Sequence, residues 1–397
     1  MFSELTHTIT KSIERKEKKD NGIFFTPPKT INQMIDLLKP YMKDIKYILE
    51  PSCGSCEFIT RLNEIFDNIE ITAIELNEKI YNFIQDFESE NTTIINDDFI
   101  SYKIDKKYDL IIGNPPFFVK KKKDVAEKYY DYFDGRPNIF ILFLIKSLKN
   151  LKKKGILSFI LPENFLNCHY YNKTRKYINK KFKILNIIKC NDKYIDTQQD
   201  TIIFIVQRLK KPDNSDFSFN IDKFVIFGPK DNILKIKELY KDSSTLSKLN
   251  FKVSVGNVVW NQCKSILTDD KSKTLLIYSS DIKDNKLIVQ KYSNIMKKNY
   301  IDKEGIDTPT LLVNRGYGKG KYKFNHCLIE GGFKYLIENH LIHISYNGDI
   351  SKEELIEYYK KIIKSFENER TKTFIELYFK NNAINTTELE YILPIYI

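Results

Sequence analysis

A chain of 397 residues exceeds a typical single domain, so two domains of roughly 200 residues each are expected. Its 42% hydrophobic content, with 27 Phe and 25 Tyr against only 14 Gly and 12 Pro, excludes a disordered or fibrous chain. The 64 Lys and Arg outnumber the 52 Asp and Glu, and the resulting charge of +12 suits a polyanionic partner such as nucleic acid.

No stretch approaches the roughly 18 to 20 uninterrupted apolar residues of a membrane span, and the first twenty residues are charged where a signal peptide would be apolar. A cytoplasmic protein without a membrane partner is expected. The six cysteines, at 53, 56, 168, 190, 263 and 327, are too scattered for a disulfide framework. Cys53-x-x-Cys56 has the spacing of half a zinc site, but no second close pair follows it, so no metal is expected.

In chain order, Thr6 to Asp20 is polar and charged and is expected to form an exposed helix or arm, broken by Asn21-Gly22. Thr30, after Phe25-Thr26-Pro27-Pro28, is placed to cap a helix whose Ile31, Met34, Ile35, Leu37 and Leu38 recur at helical spacing. Short apolar runs then alternate with helical segments. Strands are expected at 47–49, 69–74, 93–95, 108–112 and 155–160, with a helix over 139–148. That alternation predicts a doubly wound, mostly parallel α/β sheet, with 184–188 and 201–207 closing it as an antiparallel hairpin at one edge. Lys210 to Ser215 is a polar, proline-containing break, giving domains 1–210 and 211–397. The second domain mixes short strands and helices, so an α+β fold is expected there.

In an open parallel sheet the ligand site lies beyond the carboxyl ends of the strands. The first strand runs into Glu50-Pro51-Ser52-Cys53-Gly54-Ser55-Cys56-Glu57-Phe58, whose small residues let backbone approach a ligand. The second ends at Glu75, either a surface acid or an acceptor for both ribose hydroxyls. The third ends in Asn96-Asp97-Asp98-Phe99, an acceptor for an adenine amino group beside an aromatic ring. In this order the three describe a nucleoside-sized ligand.

The fourth strand ends in Asn114-Pro115-Pro116-Phe117, the most specific signal in the chain. An exocyclic aromatic amine is a poor nucleophile because its lone pair is delocalised into the ring. Acceptors from the Asn114 side chain and the Pro115 backbone can bind both amine hydrogens and localise that lone pair. Two prolines hold the acceptors rigid, as preorganised catalysis requires, and Phe117 can stack on the base.

The chain resembles the gamma-class N6-adenine DNA methyltransferases of restriction-modification type over most of its length. Their motif order is reproduced in Phe25-Thr26-Pro27-Pro28, Glu50 to Phe58, Glu75, Asp98-Phe99 and Asn114 to Phe117. Gly135 to Phe140, Leu161 to Leu166 and Tyr194 to Thr201 are similar to later motifs. The resemblance implies a Rossmann-like methyltransferase sheet followed by a target-recognition domain. It implies S-adenosylmethionine as cofactor, contacted by Thr26, Glu50, Pro51, Cys53, Gly54, Glu75, Asp98, Phe99 and Asn114. Asn114, Pro115, Pro116 and Phe117 would hold a flipped-out adenine, with Tyr194 as its second aromatic wall. Double-stranded DNA is the implied partner, a cognate restriction endonuclease a further one, and a monomer is expected. Cys56 stands where the family usually has a second glycine, and Phe117 where it commonly has tyrosine.

Base opening requires a grip on the phosphates. Lys120, Lys121 and Lys122 are candidates, with Lys152 to Lys154 as a second cluster; either run can equally be a solvated face. In the C-terminal half Arg315, Lys319 and Lys321 lie in a stretch alternating basic, aromatic and glycine residues, which suits either a groove-tracking segment or an ordinary hairpin loop. The same Asn-Pro-Pro loop also fits a protein-glutamine or RNA-base methyltransferase.

Overall fold

The charged N-terminal segment is helical, as one of the two expectations had it, but it is anchored rather than wholly exposed. It forms α1 (Glu4–Ser12) and α2 (Arg15–Asn21), and Thr6, Ile9 and Ile13 are buried. Ile9 and Ile13 are four residues apart and face inward together, which the surrounding charge concealed in the sequence. Thr6 Oγ1 donates to Glu57 Oε1 at 2.6 Å, tying the first helix to the segment that follows the first strand. Gly22 ends α2 in the left-handed region at φ 64°, where its N–H donates to the Lys18 carbonyl.

Helix α3 (Pro28–Leu38) begins two residues before Thr30, with Pro28 at the first helical position, where a missing N–H is no loss. Thr30 is therefore not the cap that the sequence suggested. Its hydroxyl donates instead to Asp192 Oδ2 at 2.8 Å.

The alternating runs form β1 (Tyr47–Glu50), α4 (Glu57–Asn63), β2 (Glu70–Glu75), α5 (Glu78–Ile84), β3 (Thr92–Asn96), β4 (Tyr108–Gly113), α6 (Ile139–Asn150), β5 (Leu151–Pro162), α7 (Asn172–Lys181), β6 (Lys183–Lys189) and β7 (Thr201–Gln207). They build one seven-stranded sheet ordered β3-β2-β1-β4-β5-β7-β6, in which β1 to β5 are parallel and β7 runs antiparallel to both neighbours. The edge hairpin is thus present.

Both faces of the sheet are covered, which is why the strands read as continuous apolar runs. Ile48, Ile71, Ala73, Leu110 and Ile112 pack on the side of α1, α3 and α4. Leu49, Ile74, Ile111, Leu157 and Phe159 pack on the side of α6.

Lys152 to Lys154 belong to the start of β5, which begins four residues earlier than the expected strand. There Lys152 Nζ meets Asp109 Oδ2 at 2.9 Å and lies 4.2 Å from the Tyr47 ring centroid. This is the amino end of the parallel strands, so the second lysine cluster is removed from the strand ends that carry the motifs.

The structure is a computed structural model that describes every residue except 1, 193, 195–198, 316–323 and 380–383. Two units separate, one of residues 1–220 with 225–233, the other of 221–224 with 234–397. The second unit is mixed α+β. It contains an antiparallel sheet ordered Phe251–Val255, Leu341–Tyr346, Thr310–Asn314, His326–Ile329. Another four-stranded sheet runs Leu267–Thr268, Tyr300–Ile301, Thr274–Ile277, Tyr335–Ile337. Helices Lys352–Phe366, Glu369–Tyr378 and Thr386–Tyr391 follow, the first closed by a capping box between Ser351 and Glu354. Among the described residues no helix is long and apolar enough to cross a membrane.

Candidate active site

The strand order reverses between β1 and β4: from β1 the chain winds outward to β2 and β3, then returns to place β4 on the other side. Side chains from the two halves diverge there and leave room for a ligand. A cleft of about 300 Å³ opens at this point, within the size range of small-molecule sites. Pro51, Gly54, Glu75, Asp98, Phe99, Asn114, Pro116 and Lys120 all line it. Four strand ends far apart in sequence are thus brought together.

Asn114 is the best-defined group in the cleft. Its Nδ2 donates to the Phe24 carbonyl and to Thr26 Oγ1, both at 3.1 Å. A backbone carbonyl only accepts, so the amide can face it only with its nitrogen. This fixes the orientation of the side chain. The other end, Oδ1, is buried and has no hydrogen-bond partner. A buried acceptor left open is unfavourable by about 1–3 kcal/mol, so a donor that reached this oxygen would be bound favourably. Behind it, Ser52 Oγ donates to the Asn114 carbonyl at 3.2 Å, joining the β1 and β4 loops.

Glu75 receives backbone N–H groups on both oxygens, from Gly54 to Oε2 at 2.9 Å and from Asn77 to Oε1 at 2.8 Å. Each oxygen keeps a further lone pair, which suits a vicinal diol. Burial raises its pKa, and the N–H groups of Asn77, Gly54 and Leu76 oppose that rise by favouring the anion. Glu50 sits deeper, 1% exposed, with Oε2 unpartnered. Burial, then the neighbouring Cys56 and Glu75, push its pKa well above the ordinary carboxylate range.

The loop between β1 and α4 turns at Gly54, φ 53°, and again at Cys56, φ 61°. Cys56 therefore adopts the left-handed conformation that glycine takes most easily. Its thiol is fully buried.

Several expected site residues stand behind the cleft wall. Thr26, Glu50, Cys53 and Pro115 are buried and do not line the cleft. Phe117 does not line it either; its half-buried ring packs edge to face on Phe140, centroids 6.0 Å apart. Tyr194 is buried, its hydroxyl 3.4 Å from Thr201 Oγ1, and lies outside the cleft lining. Lys121 and Lys122 are exposed, with Lys122 Nζ 4.6 Å from the Tyr130 ring centroid. Arg315 is exposed, while Lys319 and Lys321 lie outside the described residues. Among the described residues no three His, Cys, Asp or Glu side chains gather as for a metal ion.

The sequence did not reveal Phe24, whose contribution is a carbonyl oxygen, nor Gly22. A β-carbon on Gly22 would lie 2.7 Å from the Phe117 nitrogen, so this glycine lets the N-terminal turn pass directly against the Asn-Pro-Pro-Phe loop. Asn21-Gly22 was legible as a turn but not as part of a site. Phe118 and Phe143 also line the cleft.

This segment has recognisable relatives. Residues 16–195 match the Eco57I restriction-modification methylase family. The match takes in every cleft-lining residue and ends at the edge hairpin. Over 400 aligned residues the chain is 28% identical to the type II methyltransferase M.CvrRI of Paramecium bursaria Chlorella virus XZ-6E, covering 97% of both chains. It is 26% identical to the modification methylase CviBIII of Paramecium bursaria Chlorella virus NC1A, covering 86% of this chain and 87% of that one. Among solved structures, that of a DrdV–DNA complex superposes with a TM-score of 0.54 at 14% identity, covering 96% of this chain and 57% of the other. Similarity to type II methyltransferases thus extends through both units.

Proposed function

We propose that the chain is a site-specific DNA methyltransferase that transfers a methyl group from S-adenosylmethionine to N6 of an adenine flipped out of the duplex. The observation that carries this reading is the Asn114 carboxamide, turned by Phe24 O and Thr26 Oγ1 so that Oδ1 is left as an unsatisfied buried acceptor.

An acceptor poised at that position suits an amine donor. Asn114 Oδ1 and the Pro115 carbonyl would accept the two N6 hydrogens, drawing the nitrogen from planar toward tetrahedral geometry and localising its lone pair. Because the oxygens are held before the base arrives, little reorganisation is needed as charge develops on the amine. The neighbouring prolines limit backbone motion in the same loop.

The groups lining the cleft suit the cofactor's nucleoside: Glu75 would accept from the ribose diol and Asp98 from the adenine amine, with Phe99 as an apolar wall. When bound, S-adenosylmethionine supplies an electrophilic methyl group. Phe117 and Tyr194 are the candidates for holding the target base, with stacking contributing roughly 1–3 kcal/mol per base. Residues 1–210 would then be the catalytic domain and 211–397 the DNA target-recognition domain, with Lys120, Lys121 and Lys122 of the first and Arg315 of the second among the phosphate contacts. Lys319 and Lys321, outside the described residues, belong to the same proposal.

DNA is favoured over a protein glutamine because the likeness to type II methyltransferases covers nearly the whole chain, including the second unit. Transfer of tritiated methyl from S-adenosylmethionine to duplex DNA, RNA or a glutamine peptide separates the readings. Label is expected in duplex DNA, recovered as N6-methyldeoxyadenosine after digestion; label only in RNA or peptide would overturn the assignment.

A further inference from the structure

Helix α6 turns one face toward the loop after β3. On that face Phe143 and Lys146, three residues apart, both meet Phe99. The Phe143 ring lies 4.9 Å from the Phe99 ring centroid to centroid, and the Lys146 ammonium lies 4.9 Å from the Phe99 centroid. The same ammonium donates to three backbone carbonyls of one turn: Phe99 O, Ile100 O at 3.1 Å and Tyr102 O at 2.5 Å. A lysine has three N–H donors, so all are used.

Three carbonyl dipoles aimed at one point repel one another unless a cation gathers them. The turn they belong to is the one that carries Asp98 and Phe99 into the cleft. It is further tightened from within, where Asp98 Oδ1 accepts from Ile100 N at 2.8 Å and the Asp98 carbonyl accepts from Tyr102 N at 2.8 Å. The conformation that presents both cleft residues therefore depends on a positive charge delivered from α6.

We propose that Lys146 is a positioning residue for nucleoside binding, organising the Asp98–Tyr102 turn so that Asp98 and Phe99 meet the cofactor's adenine. The inference rests on the cofactor reading above and assigns Lys146 no contact with the reacting atoms. A stabilising role alone would lower the melting temperature of a variant without altering its affinity for the ligand. A positioning role weakens the ligand in proportion to the preorganisation that is lost.

The test is calorimetric titration of S-adenosylhomocysteine into the full-length protein and its Lys146→Met, Lys146→Gln and Lys146→Arg variants, with steady-state methyl transfer alongside. Lys146→Met is expected to weaken S-adenosylhomocysteine by about tenfold, with the kinetic loss falling on the KM for S-adenosylmethionine rather than on kcat. Lys146→Arg, which keeps charge and donors, should recover most of the affinity, and Lys146→Gln only part of it. If Lys146→Met does not fold, the order wild type, Arg, Gln decides. Equal affinity in wild type and variants, or a loss in kcat with KM unchanged, overturns the positioning role while leaving the cofactor reading standing. Failure of the wild-type protein to bind S-adenosylhomocysteine overturns both.

Discussion

The Asn114 carboxamide donates to the Thr26 hydroxyl at 3.1 Å, joining residues 88 positions apart in sequence. On the proposed mechanism Thr26 would act through Asn114, as one of the two acceptors that turn the amide oxygen away from the nitrogen's partners. Thr26→Val retains shape and removes that acceptor, leaving Phe24 O alone to hold the nitrogen. A fall in kcat of about tenfold is expected, with far-ultraviolet circular dichroism unchanged, since one ordinary hydrogen bond is worth roughly 0.5–1.5 kcal/mol. Unaltered kcat would remove Thr26 from the site.

Gly22 supports the same loop from the other side. Gly22→Ala would force a β-carbon to 2.7 Å from the Phe117 nitrogen while holding alanine at φ 64°. The left-handed strain alone costs about 1–2 kcal/mol, and the clash adds to it. The variant is expected to melt several degrees lower and to lose methyl transfer more than stability, because the displaced backbone is that of the Asn-Pro-Pro-Phe loop. Differential scanning calorimetry and initial rates measured on one preparation check both parts.

Glu50 predicts a pH dependence. Its pKa is raised in the folded state, mainly by burial, above an unfolded value of about 4.3. A carboxyl that binds its proton more tightly when folded contributes stability below the unfolded pKa and loses that contribution as pH rises through the folded one. Wild-type stability should decline as pH rises above the unfolded value and through the raised folded one, and Glu50→Gln should reduce the decline and melt higher at the alkaline end. Glu75, shifted in the same direction, leaves a residual slope. A variant stabilised only at the acid end would contradict the assignment.

Much of the first unit was legible because its signals are local. Period and β-branched composition marked β1 to β5, and the strand ends carried Glu75, Asp98 and Asn114 as distinctive residue types. What escaped was carried by backbone or by burial. Phe24 contributes a carbonyl, which no residue type announces, and Lys146 looks like any surface lysine on a helix. Thr30 was misplaced because Pro28 at the first helical position starts α3 earlier than a threonine cap would. The N-terminal helices looked exposed because two buried isoleucines were outnumbered by charges. Lys152 to Lys154 read as a phosphate grip or a solvated face, and their position at the start of β5 puts them at the opposite end of the strands from the motifs. Cys56 shows the converse case, a residue that departs from the expected glycine and still takes the glycine conformation.

Asn114→Ala removes the oxygen that, on the proposed mechanism, makes the adenine amine reactive. Single-turnover methyl transfer to duplex DNA at saturating S-adenosylmethionine should fall by about 10²–10³ or more, with S-adenosylhomocysteine affinity largely kept. Turnover equal to wild type in that variant would exclude Asn114 Oδ1 as the group that activates the amine.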